Sequence, residues 1–114
     1  MKINGNGFRM SYENGGIRIS GKLSMMLEDY SEIEAFFESI VASRPDKLTL
    51  DIRELEYLNS SGIKVICVNL ILEAAEINDL SMTIRCSNRF TWQKETVPTF
   101  KELMDHLEID FDPI

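Results

Sequence analysis

The residues best placed to carry regulation are Asn59-Ser60-Ser61-Gly62, which lie between a strand-like run and a long apolar segment with helical spacing. A hydroxyl at a helix start accepts a hydrogen bond from one of the unpaired backbone N–H groups, and a phosphate there is favoured by the helix dipole. Read from the residues alone, Ser60 or Ser61 either caps the helix or presents a hydroxyl for modification. Groups suited to catalysis are scarce. The single histidine, His106, has no carboxylate or cysteine at suggestive spacing and reads as an ordinary surface or boundary residue. Asp51, Glu54 and Glu56 could suggest acid/base work or magnesium binding, but Arg53 stands among them as a ready counter-charge. Gly5, Gly7, Gly15 and Gly16 occupy no strand-to-helix turn of the kind that cradles phosphate. No enzyme activity, metal or cofactor is expected.

Arg89 and Trp92 stand in the polar stretch 87–95, which reads as a surface loop. There the indole serves either as a partner anchor or as a lid folded back over the sheet edge. Cys67 and Cys86 fall on apolar positions of predicted elements without ligand-like spacing, and read as buried, unpaired core thiols rather than as a disulfide, metal or redox pair.

Composition narrows the class. A chain of 114 residues, 44% hydrophobic and 27% charged, has the size and balance of one globular domain spanning residues 1–114. The net charge of −7 argues against nucleic acid, which calls for a concentrated basic face. The acidic run Glu28, Asp29, Glu32, Glu34 and Glu38 reads as a solvated helix face, with a basic partner as the alternative. No run of apolar residues is long enough to insert in a membrane, and residues 1–10 lack the apolar core of a signal peptide, so a cytoplasmic protein is expected.

The elements that position these residues follow from periodicity. Phe8, Met10 and Tyr12, then Ile17, Ile19 and Leu23, alternate with polar residues on either side of Asn14-Gly15, a hairpin signature. Ile33, Phe36, Phe37, Ile40 and Val41 predict a helix over about 31–43, with Ser31 and Glu34 as a capping box and Pro45 as the stop. Leu48, Leu50 and Ile52 form the next strand, with Leu55 and Leu58 anchoring a loop. Apolar residues then cover much of a helix over 61–77, so deep packing is expected. Met82, Ile84 and Cys86 read as a strand, 98–107 as a last helix with Pro98 in its first turn, and Ile109 and Phe111 as a final strand. The order ββαβαβαβ predicts an α/β domain with helices packed against a mixed sheet.

The stretch Leu48-Thr-Leu-Asp-Ile52, Leu55, Leu58-Asn-Ser-Ser-Gly-Ile63 resembles the STAS domain of anti-sigma factor antagonists, and the similarity in element order covers nearly the whole chain. That family usually has aspartate where this chain has Asn59. The Asn-Ser-Ser-Gly turn, with Ser-Asn and Trp-Gln elements after the fourth strand, resembles a subgroup of STAS-like bacterial regulators. The resemblance implies a single STAS-like domain and a binding switch, with Ser60 as phosphoacceptor, Ser61 as second choice, and Gly62 as the small residue that lets the helix start close to the loop. It also implies partners: an anti-sigma-like serine kinase and a serine phosphatase, or another signalling protein such as a diguanylate cyclase. Asn59, Ser60, Ser61, Gly62, Arg89 and Trp92 are the expected partner contacts. The opposing reading is a small-molecule or nucleotide sensor using the Ser60 turn and the Trp92 segment.

Overall fold

The computed structural model describes residues 1–113. Six strands form one mixed sheet in chain order: β1 (Lys2–Asn4), β2 (Phe8–Glu13), β3 (Gly16–Leu23), β4 (Lys47–Leu58), β5 (Ser81–Ser87) and β6 (Glu108–Asp112). β1, β2 and β3 pair antiparallel, whereas β3 to β6 run parallel. The expected hairpin joins β2 to β3 through Asn14 and Gly15, both at positive φ (50° and 81°), as the right-handed twist of paired strands favours. β1 is an addition to the expected order. It is a three-residue edge strand in which only Ile3 packs against the core, too short to show alternation.

α1 (Ser31–Ala42) follows a 3-10 turn (Leu27–Tyr30) and buries Ile33, Phe36, Phe37, Ile40 and Val41. The capping box is corrected, because Tyr30 occupies the cap position and no side chain bonds the free N–H groups. The preceding 3-10 turn already aligns the chain, leaving Ser31 inside the helix. α2 (Ser60–Val65) continues through a π segment (Ile66–Ile71) into α3 (Leu72–Ala75). After β5 comes α4 (Thr91–Thr96) and a 3-10 segment (Val97–Glu102).

Two expected boundaries are therefore corrected. The stretch 87–95 is not a loop throughout, since α4 begins at Thr91, and the helix expected over 98–107 is a 3-10 segment followed by turns. Its apolar residues still enter the core: Phe100, Met104 and Leu107 are buried, as is Val97. β4 also runs to Leu58 instead of ending at Ile52, with register irregularities against β3. Those bulges place Leu55 and Leu58 inward despite a spacing that breaks strict alternation.

The helices cover one face of the sheet. Along β2, β3, β4 and β5, residues such as Met10, Ile19, Leu50 and Ile84 enter a single hydrophobic cluster with the helices, while Arg9, Arg18, Asp51 and Arg85 alternate with them on the open face. Cys86 is buried and Cys67 only half-buried, and neither forms a disulfide. Cys67 departs from the expected burial because its helix is not enclosed on all sides: Val68 and Leu72 are 44% and 40% exposed. No helix among the described residues is long and apolar enough to cross a membrane.

Candidate functional site

The serine turn lies where β4 ends and α2 begins, and its geometry rests on Asn59. The Asn59 Oδ1 accepts the Gly62 N–H at 2.9 Å and the Tyr30 hydroxyl at 2.7 Å, while Nδ2 donates to the Met25 carbonyl at 2.8 Å. Its backbone N–H donates to Leu23 O at 3.2 Å, and its carbonyl accepts the Ile63 N–H at 2.9 Å. Asn59 is thus the helix cap, so of the two readings of Ser60 and Ser61 the capping one does not hold. The reason is positional: Ser60 is already the first helical residue, one place beyond the extended backbone a cap requires.

Tyr30 is buried, and burial raises its phenol above the ordinary value even though the Met25 N–H bonds to the phenolic oxygen. The phenol remains protonated at neutral pH and donates to Asn59. Gly62 permits this approach. A Cβ there would collide with Leu58 Cδ1 and come within 2.8 Å of the Tyr30 hydroxyl, which agrees with the role expected of a small residue.

With capping assigned to Asn59, Ser60 is exposed and Ser61 half-buried, and neither side chain forms a hydrogen bond within the described residues. Met26 and Leu27 are 64% and 46% exposed in the segment that Asn59 tethers, and Tyr57 is 49% exposed on the strand leading to the turn. Lys64, Val68 and Leu72 continue the exposed face of the helix from Ser60. The apolar excess expected from the sequence of this helix is therefore partly displayed beside the serine.

Arg89 and Trp92 belong to a second cluster. Beyond Asp51, β4 leaves its ladder with β5, and side chains of α4 satisfy the carbonyls there. Gln93 Nε2 donates to Ile52 O at 2.7 Å and Leu55 O at 2.9 Å, its Oε1 accepts the Ser87 N–H at 2.8 Å, and Trp92 Nε1 donates to Leu55 O at 3.2 Å. Trp92 is half-buried against the core, so it takes the folded-back position of the two considered. Gln93, fully buried, was not singled out from the sequence, where one glutamine among polar residues carries no signal of burial. Arg89 is exposed, 3.1 Å from Glu54 and stacked over the Phe90 ring. Among the described residues, no hydrogen bond or ion pair joins this cluster to the serine turn.

The carboxylates beside Arg53 form structural ion pairs. Asp51 is bound by Arg53 at 2.8 Å, and Arg53 also reaches Asp112 at 2.9 Å. Burial works to raise the Asp51 carboxyl, but the Arg53 hydrogen bonds and charge, aided by Arg18, hold it below the usual carboxylate range. His106 is exposed, with Nε2 3.1 Å from Leu80 O. No cluster of three metal-ligating side chains occurs among the described residues.

Comparison with known proteins places this architecture in one class, the STAS-like α/β fold. SiaC, from the crystal structure of the diguanylate cyclase SiaD with its activator SiaC from Pseudomonas aeruginosa, is similar over 98% of this chain and 99% of its own, at 20% identity and a TM-score of 0.73. An anti-sigma factor antagonist from Mycobacterium paratuberculosis is similar over 95% of this chain and 84% of its own, at 15% identity and a TM-score of 0.61. No protein-family model and no curated protein matches the chain.

Proposed function

We propose that this chain is a non-catalytic binding protein of a partner-switching pathway in the cytoplasm, controlled by reversible phosphorylation of Ser60. The observation that carries the reading is the division of roles in the turn. Asn59 supplies the cap, and the exposed Ser60 hydroxyl stands without an intramolecular partner at the helix start. A kinase resembling the anti-sigma serine kinases adds the phosphate, and a serine phosphatase removes it. Ser61, half-buried, is the second candidate.

Met26, Leu27, Tyr57, Val68 and Leu72 offer apolar area around Ser60 for a partner. A phosphate would add about 1.5–2 negative charges to that surface at neutral pH, so release needs no change of fold. Asn59, Ser61 and Gly62 shape the surface, and Arg89 with the outer edge of Trp92 forms a second, separate contact beside Leu55. A second output, direct control of a signalling enzyme, is favoured by the near end-to-end likeness to SiaC, the activator of a diguanylate cyclase. Affinity capture from the native host with phosphosite mapping tests the reading: a bound kinase and phosphate on Ser60 are expected, and a chain never modified on Ser60 or Ser61 under any growth condition contradicts it.

A further inference from the structure

At the β1 end of its open face the sheet gathers Lys2, Arg9 and Arg18, although the chain's net charge is −7. A basin of about 660 Å³ lies over β1, β2 and β3, and its charged lining is Lys2, Arg9 and Arg18 against one carboxylate, Glu54. That carboxylate is already engaged by Arg89 at 3.1 Å. Lys2 and Arg9 form no ion pair among the described residues, and Arg18 touches Asp51 with one nitrogen at 3.4 Å while remaining 66% exposed. Arg53, in contrast, is fully engaged by Asp51 and Asp112.

Strand register sets the arrangement. Ser11 stands opposite both Lys2 and Arg18, and Ser20 stands opposite Arg9. The two arginines therefore occupy one diagonal of the β2–β3 ladder and the two serines the other. Diagonal neighbours on such a ladder lie roughly 7–8 Å apart, a separation that two long guanidinium side chains close around one tetrahedral oxyanion, with hydroxyl donors between them.

We infer that this basin is a binding site for a compact, multiply charged phosphate group, held between Arg9 and Arg18 with Lys2, Ser11 and Ser20 completing it. Arginine forks match phosphate oxygens in pairs. A single carboxylate would leave two of the three cations unpaired. Phe8, the sole aromatic of the lining, is buried in the core, so the site offers no platform for a nucleobase and the charged group itself is the feature recognised. The site lies on the sheet face away from α2 and is independent of phosphorylation at Ser60.

The test uses the whole protein titrated with inorganic pyrophosphate at low salt, followed by calorimetry and by amide shifts of the 15N-labelled chain. Saturable binding is expected, with shifts centred on Arg9, Ser11, Arg18 and Ser20. Arg9→Gln and Arg18→Gln should each weaken binding about ten-fold, the loss corresponding to one charged hydrogen-bonding contact. Both residues are exposed, so these variants should melt like the parent, and Arg44→Gln, remote at the end of α1, should bind normally. Flotation with phosphatidylcholine vesicles containing phosphatidic acid separates the sources of the phosphate: lipid binding lost in the Arg9 and Arg18 variants supports a headgroup, and pyrophosphate binding without vesicle binding supports a soluble ligand. Absence of both, or binding unaffected by the two substitutions, overturns the inference.

Discussion

The Tyr30 hydroxyl donates to Asn59 Oδ1 at 2.7 Å, joining the turn before α1 to the cap of α2. The same amide oxygen holds the Gly62 N–H, and its nitrogen holds the Met25 carbonyl. An asparagine can serve all three partners because it carries both an acceptor and a donor. An aspartate retains the two acceptor contacts but sets a carboxylate oxygen against Met25 O. Asn59→Asp is therefore expected to cost about 1–3 kcal/mol and Tyr30→Phe about 0.5–1.5 kcal/mol. Chemical denaturation of the two single variants and the double variant should give non-additive losses. Additive losses would show that the two residues act separately.

Gln93 is expected to matter more for stability than its polar neighbourhood in sequence suggests. Gln93→Glu keeps the shape but removes the donor to Ile52 O and Leu55 O, and should destabilise by roughly 2–4 kcal/mol, as should Gln93→Ala. Trp92→Phe, which loses only the indole N–H contact, should cost about 0.5–1.5 kcal/mol. A melting temperature unchanged in Gln93→Glu would contradict the assigned role in satisfying β4.

The ion pair of Asp51 predicts an acid limb in the stability profile. Because its folded pKa is depressed, the unfolded chain binds more protons in acid, and the Asp51 contribution is complete above the unfolded carboxyl value of about 3.9 and lost as pH falls through the lower folded value. Asp51→Asn should reduce stability at neutral pH by about 1–2 kcal/mol and flatten that limb. Equilibrium denaturation between pH 7 and roughly pH 2 checks both effects. A limb of unchanged steepness in the variant would assign it to other carboxylates.

The two thiols should differ in reactivity. Burial, with the charges of Asp110 and Asp112 behind it, pushes the Cys86 thiol up to about 12, whereas Cys67 is raised by burial alone. Alkylation of the native protein at mildly alkaline pH should label the half-buried Cys67 first and Cys86 only on unfolding. Equal rates at both sites by peptide mass spectrometry would contradict the burial assigned to Cys86.

Elements with regular periodicity were legible before the structure, and those held by particular side chains were not. The β2–β3 hairpin follows from alternation around Asn14-Gly15, and α1 from five apolar residues on one face. The extension of β4 was hidden because its bulges put Leu55 and Leu58 inward three residues apart. α4 was hidden because hydrogen bonds from Gln93 and Trp92, not an apolar stripe, hold it in place. The segment 98–107 was read as a helix, and its Phe100, Met104 and Leu107 are buried although the backbone carrying them is 3-10 and turn, since burial depends on side-chain type more than on helix geometry. At the serine turn, position was legible but the assignment of the cap was not. Asn59, Ser60 and Ser61 are all acceptable caps by type, and only the tether to Tyr30 and Met25 selects Asn59.

The central claim is that phosphate on Ser60 governs partner binding while leaving the fold intact. Its most direct test is calorimetric titration of the captured partner with the unmodified protein and with protein stoichiometrically phosphorylated on Ser60, both verified by circular dichroism to melt alike. An unpaired charge forced into an interface costs about 2–5 kcal/mol, so the phosphorylated form should bind roughly thirty-fold or more weakly. Ser60→Ala should bind like the unmodified protein and resist the kinase. Equal affinity of the two forms would contradict the switch, and loss of affinity caused by phosphate on Ser61 alone would move it by one residue.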